Sequence, residues 1–115
     1  MWRDRLKGRE RILLAAVAAV ASVALIMVLS KRDARWEICS TAAPDTRIRA
    51  CTAIIESGYE PASSRSRAFG NRGAAYRRQG DLAHAMDDYN QAVHLSDNNS
   101  RALHNRAVLY GEQRQ

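Results

Sequence analysis

Hydrophobic positions are arranged in two different ways along the chain. From Ile12 to Ser30 (ILLAAVAAVASVALIMVLS) they form an unbroken run of 19 uncharged residues, ended by Lys31 and Arg32. Beyond that point apolar residues recur three and four apart, the spacing that places them on one face of a helix. As a helix the uncharged run would be about 28 Å long, against a bilayer core of about 30 Å. It is therefore expected to cross a lipid bilayer, with residues 1–11 as a tail and residues 31–43 as a juxtamembrane segment. Trp36 stands at a distance suited to the headgroup layer. A cleaved signal peptide is the rival reading, but the run exceeds the usual apolar length and Ser30-Lys31-Arg32 is a poor cleavage context. Ala15/Ala19 and Ala18/Ser22 are small pairs four apart, which would allow close packing on another membrane helix.

In the remainder, residues 44–57 (PDTRIRACTAIIES) read as a helix with Pro44 at its start and Gly58 just past its end. Ile48, Cys51, Ile54 and Ile55 share its apolar face. Residues 59–64 read as a linker. From there the sequence repeats itself: residues 66–76 (SRAFGNRGAAY) and 100–110 (SRALHNRAVLY) match at an offset of 34, with six of eleven positions identical. A period of this length marks a stack of helical hairpins. Gly80 can close the first helix of the unit and Asp81 can cap the second.

The residues of this unit resemble the tetratricopeptide-repeat family. Phe69, Gly73 and Tyr76 match the first-helix pattern, and Ala85, Tyr89 and Ala92 the A-x3-F/Y-x2-A second helix. Asp97 replaces the usual Pro after the second helix, so Asp97, Asn98 and Asn99 must make the turn. The resemblance implies an all-α fold: a short α-solenoid of about four helices over residues 44–115, following the single transmembrane helix. Residues 66–99 form the full repeat and 100–115 a capping helix. The string from Ile38-Cys39 to Ser57-Gly58, leading into Asn71-Arg72-Gly73, also resembles exported and membrane-anchored tetratricopeptide-repeat proteins of proteobacteria.

Charge changes the picture only by its placement. The chain is formally +6, but residues 1–35 carry a balance of +5 and the other 80 residues only +1. The basicity flanks the apolar run, which argues for membrane topology and against nucleic acid. Five Lys/Arg precede the run and three follow it closely, so the N-terminus should be cytoplasmic and the repeat domain periplasmic, in a bacterial inner membrane. Cys39 and Cys51 fit no metal or redox motif. In a non-cytoplasmic domain short of core they are expected to form a disulfide, with two buried reduced thiols as the alternative.

Candidate chemistry is confined to recognition. Arg67 and Asn71 share a helix face, and Arg101 and Asn105 repeat the arrangement one unit later. The family resemblance places these first helices on a concave surface, where Asn can bond a peptide backbone and Arg can grip a carboxylate. Arg78 would extend that patch. Asp87 and Asp88 are expected on a solvated face, and His84, His94 and His104 on the surface. No nucleophile motif, phosphate loop or metal cluster is present, so neither catalysis, a cofactor nor a metal is expected. The expected function is a membrane-anchored adaptor that binds a protein or peptide partner through its concave face. The alternatives are an accessory subunit of a membrane complex, held by its transmembrane helix, or a secreted repeat protein released by cleavage.

Overall fold

The computed structural model describes residues 7–114, so Arg3, Asp4 and Arg5 lie outside the described residues. Within them the chain is all-helical: α1 Gly8–Thr41, α2 Pro44–Glu56, α3 Ala62–Arg78, α4 Leu82–Leu95 and α5 Ser100–Gln113. The chain divides into two compact units at Asp33 and Ala34.

The first unit is the apolar part of α1. Its side chains from Ile12 to Leu29 are exposed, and the helix is long and apolar enough to cross a membrane, a test that a signal sequence also passes. Lys31 and Arg32 end the apolar run but not the helix, which continues to Thr41. Nothing after Ser30 breaks helical geometry, since Pro is absent until Pro44. The Ser22 hydroxyl donates to Ala18 O at 2.8 Å, within its own helix.

In the second unit the end of α1 and the helices α2 to α5 pack in sequence order. Each junction has a local cause. Pro44 opens α2, where its missing N–H costs nothing, and Gly58 leaves it with φ of 73°. Pro61 precedes α3, which starts at Ala62, so the connection is shorter than the expected 59–64 linker. Gly80 adopts φ of 79° after α3, a conformation costly for any side chain, and the Asp81 carboxylate caps α4 by accepting from His84 N. Asn99 caps α5 through Ala102 N, which is how the turn closes without the usual Pro.

Two clusters form the core. Cys39, Cys51, Ile54 and Ala68 make the first, with Trp36, Ala50 and Ile55 packed against it. Trp36 is half-buried in the helical domain, where the end of α1 meets α2 and α3. Cys39 and Cys51 are paired in this cluster, with Cα atoms 4.8 Å apart. Ala85, Tyr89 and Leu109 make the second cluster, lined by Tyr76, Leu82 and Met86. It is centred on the place where α4 crosses Gly73. A Cβ built at Gly73 would stand 2.8 Å from Tyr89 Cε1 and 3.2 Å from Asp88 Cβ. Gly73→Ala is accordingly expected to cost about 1–3 kcal/mol by overpacking, measurable by urea denaturation. A cost near zero would mean that α4 is free to move away.

Polar groups inside the unit are mostly satisfied. Buried Ser66 donates to Ala92 O at 2.6 Å and accepts from Asn99 Nδ2 at 2.9 Å, which ties both ends of the repeat together. Asp88 corrects the expectation of a solvated carboxylate. It is only 4% exposed and bound in two-pronged fashion by Arg72, at 2.8 and 2.7 Å. Its neighbour Asp87, about 100° further round the helix, is exposed. Arg72 Nη1 also donates to Thr52 on α2 at 3.0 Å, so one guanidinium links three helices. The Asp88 hydrogen bond holds the Arg72 pKa above its ordinary value, against the opposing effect of burial.

Candidate functional site

The helices α3 and α5 both pack on α4 and also touch each other, leaving a groove between them. Along α3 the residues Arg67, Asn71, Ala74 and Arg78 succeed one another by steps of four, three and four, so a single face supplies one wall. The groove holds two hollows. One, of about 190 Å³, is lined by Arg67, Gly70 and Asn71 of α3 together with Asn99, Arg101 and Ala102. The other, of about 490 Å³, is lined by Ala74, Arg77 and Arg78 of α3, Tyr89 of α4, and Asn105 and Glu112 of α5.

The five recognition residues expected from the sequence therefore separate into two groups. Arg67, Asn71 and Arg101 meet in the smaller hollow, and Arg78 and Asn105 in the larger. They are not equally available. The Arg67 guanidinium lies 4.5 Å from the centre of the Trp36 ring, a stacking that steadies it and leaves its edge for a ligand. Asn71 Nδ2 approaches Cys39 Sγ at 3.8 Å, a weak contact that ties the amide to the first core cluster. Arg78 and Arg101 are exposed and Asn105 half-buried.

Three further residues shape the larger hollow, and the sequence pattern did not single them out for it. Arg77 bonds Glu112 through both of its nitrogen edges, Nε at 3.1 Å from Oε2 and Nη2 to Oε1. That pair clasps α3 to α5. It holds the Glu112 carboxyl below the ordinary carboxylate range, through the Arg77 hydrogen bond first. Tyr89 closes the floor. Its ring fills the core, while its hydroxyl is buried without a hydrogen-bond partner among the described residues. Burial pushes the Tyr89 pKa up, so the hydroxyl stays a neutral donor. A buried donor of this kind gains from any acceptor that reaches it. The one signal for it in the sequence was Tyr rather than Phe at the aromatic position of the second helix.

Taken together, the groove offers cationic and amide groups at both ends and one acid, Glu112, that is already engaged. His84 lies elsewhere, stacked on Tyr76 with ring centres 5.0 Å apart and bonded to Asp81 at 2.7 Å. Among the described residues no three His, Cys, Asp or Glu side chains gather as metal ligands would.

This geometry of a two-helix hairpin with small residues at the crossing, followed by a further first helix, coincides with a match to a family. The tetratricopeptide-repeat family profile matches residues 66–99. Those residues are a tetratricopeptide repeat. The matched span begins at Ser66 and ends at Asn99, the two residues hydrogen-bonded to each other across the repeat. No curated protein and no solved structure gives a significant match. Tetratricopeptide repeats are protein–protein interaction modules, and the repeat here contributes one wall and the floor of the groove.

Proposed function

We propose that this chain is a membrane-anchored adaptor that binds a carboxylate-bearing protein or peptide segment in the groove between α3 and α5. The observation that carries the reading is the convergence of Arg78 and Asn105 on one hollow, floored by Tyr89, between the matched repeat and α5. Arg67, Asn71 and Arg101 hold a second part of the same segment. The apolar run from Ile12 to Ser30 anchors the chain in a bacterial inner membrane, with the N-terminus cytoplasmic and the repeat domain periplasmic. There Cys39 and Cys51 are oxidised to a disulfide. The groove is short, so affinity is modest and the anchor supplies effective concentration near the target.

Photocrosslinking in native membranes tests the groove. A photoreactive residue replacing Ala74 should give a discrete protein adduct, and Arg78→Ala with Asn105→Ala should reduce its yield at least tenfold. An adduct that survives the double substitution sinks the groove reading.

A second reading, an accessory subunit held by its transmembrane helix, is favoured by the exposure of the apolar side chains from Ile12 to Leu29. The Ser22 hydroxyl, satisfied within its own helix, offers that reading no polar glue. Exchange of residues 12–30 for an unrelated apolar helix separates the two, since only the accessory role would be lost.

A further inference from the structure

The two glycines of α3 stand in contrast. Gly73 lies where a Cβ would meet the Tyr89 ring, so the fold itself demands it. Gly70 has no such reason. It sits in the middle of α3, where Gly destabilises a helix relative to Ala. Its φ is not positive, since only Gly58 and Gly80 take that conformation, and a Cβ built on it meets nothing within 4 Å. The position 34 residues on, in α5, is His104, so a first helix accepts a side chain at this place. Gly70 is nevertheless a buried residue, and it lines the hollow of about 190 Å³ shared with Arg67, Asn71, Asn99, Arg101 and Ala102. The space that its missing side chain leaves open belongs to that hollow.

The groups around this space are those of a binding surface. Arg67 and Arg101 are exposed, neither makes an ion pair among the described residues, and no acid lines the hollow. Asn99 spends both ends of its amide, on Ser66 and Ala102. Asn71 uses one end for the weak contact with Cys39 and keeps the other for a peptide group. We propose that a glycine or similarly small residue of an extended partner segment crosses α3 at Gly70, its main chain against the Gly70 Cα, with a carboxylate two residues away held by Arg67 and Arg101. This rests on the groove reading above and adds the register of the bound segment. A helical partner is excluded by the close approach, since a helix sheathes its main chain in side chains. In an extended chain residues two apart point the same way, so an acid at that spacing faces the same wall as the small residue. A Cβ at position 70 would stand where the partner's main chain lies.

A short peptide tests the register. The probe is fluorescein-labelled Ser-Asp-Ser-Gly-Ser-Asp-Ser, symmetrical so that either chain direction satisfies the spacing, titrated with the full chain in detergent micelles and read by anisotropy. Saturable binding is expected at about 0.1–1 mM, because a flexible segment must be ordered on binding. Valine in place of the peptide glycine should weaken it at least fivefold, as should Arg101→Gln in the protein. Gly70→Ala separates recognition from folding: it should weaken binding at least fivefold, yet raise the thermal midpoint of the domain by about 2–8 °C. Absence of saturable binding overturns the proposal, as does binding indifferent to Gly70→Ala. A lowered midpoint also overturns it, by assigning Gly70 to the fold. The Ala74 photoadduct keeps the groove reading separate. If Gly70→Ala spares that adduct while Arg78→Ala with Asn105→Ala depletes it, the groove stands and only the Gly70 contact falls.

Discussion

Asp88→Ala is expected to cost the domain about 3–5 kcal/mol, enough to leave much of it unfolded at ordinary temperature. The reason is what remains behind. Arg72 sits between the rings of Phe69 and Tyr76, at 5.3 and 6.0 Å from their centres, and its guanidinium is directed at Asp88 and Thr52. Removing the carboxylate strands a cation where water reaches it poorly. Arg72 cannot escape by losing its proton, because a guanidinium stays protonated in proteins even without an acidic partner. Replacing both partners, with Arg72→Met and Asp88→Leu, should recover most of the loss, since an apolar pair needs no compensation. Urea denaturation followed by circular dichroism measures all three proteins. A loss below 1 kcal/mol for Asp88→Ala, or a double variant no better than the single one, would show that the ion pair is solvated after all.

The second large effect belongs to Cys39 and Cys51. If they are covalently joined in the native protein, reduction should destabilise the domain by about 3 kcal/mol, the chain-entropy value for a loop of this size. The sequence separation is 12, and the pair stands at the centre of the first core cluster. The damage should be uneven. The end of α1 and α2 depend on this cluster, whereas α3, α4 and α5 are held by the second. Amide exchange after reduction should therefore accelerate in α2 first, with the cluster around Tyr89 protected until global unfolding. The groove would feel the change at one end only. Asn71 touches Cys39 and Arg67 stacks on Trp36, whereas Arg78 and Asn105 touch neither cysteine residue nor Trp36. Uniform exchange across α2 to α5, or an unreduced mass equal to that of the dithiol, would remove the basis for this coupling.

Both predictions concern residues whose type was visible in the sequence and whose use was not. The helices of the repeat were legible because helix caps and turn residues act locally: Gly58, Gly80, Asp81 and Pro44 each mark a chain reversal by their own backbone chemistry. The apolar face of α2 and the small residues at the crossing were legible through their spacing. The extension of α1 to Thr41 was less so, whereas the start of α3 at Ala62 was marked by Pro61 directly before it. Polar segments without Pro or Gly carry no local signal for where a helix ends, and packing against a neighbour then decides.

The sequence by itself determined the all-helical class, the repeat of 34 residues, the apolar run and the shared helix faces of Arg67 with Asn71 and of Arg101 with Asn105. Each follows from period, residue size or backbone freedom, which are properties of short stretches. Only the tertiary structure decided which charges are partners. Asp87 and Asp88 are indistinguishable as letters, yet one is exposed and the other completes a buried pair with Arg72, sixteen residues away. It alone decided that Trp36 packs beside the first core cluster and supports Arg67, and that Tyr89 fills the second cluster beneath the groove. These are relations between helices, and their energies depend on distance and solvent exclusion, which no local pattern records.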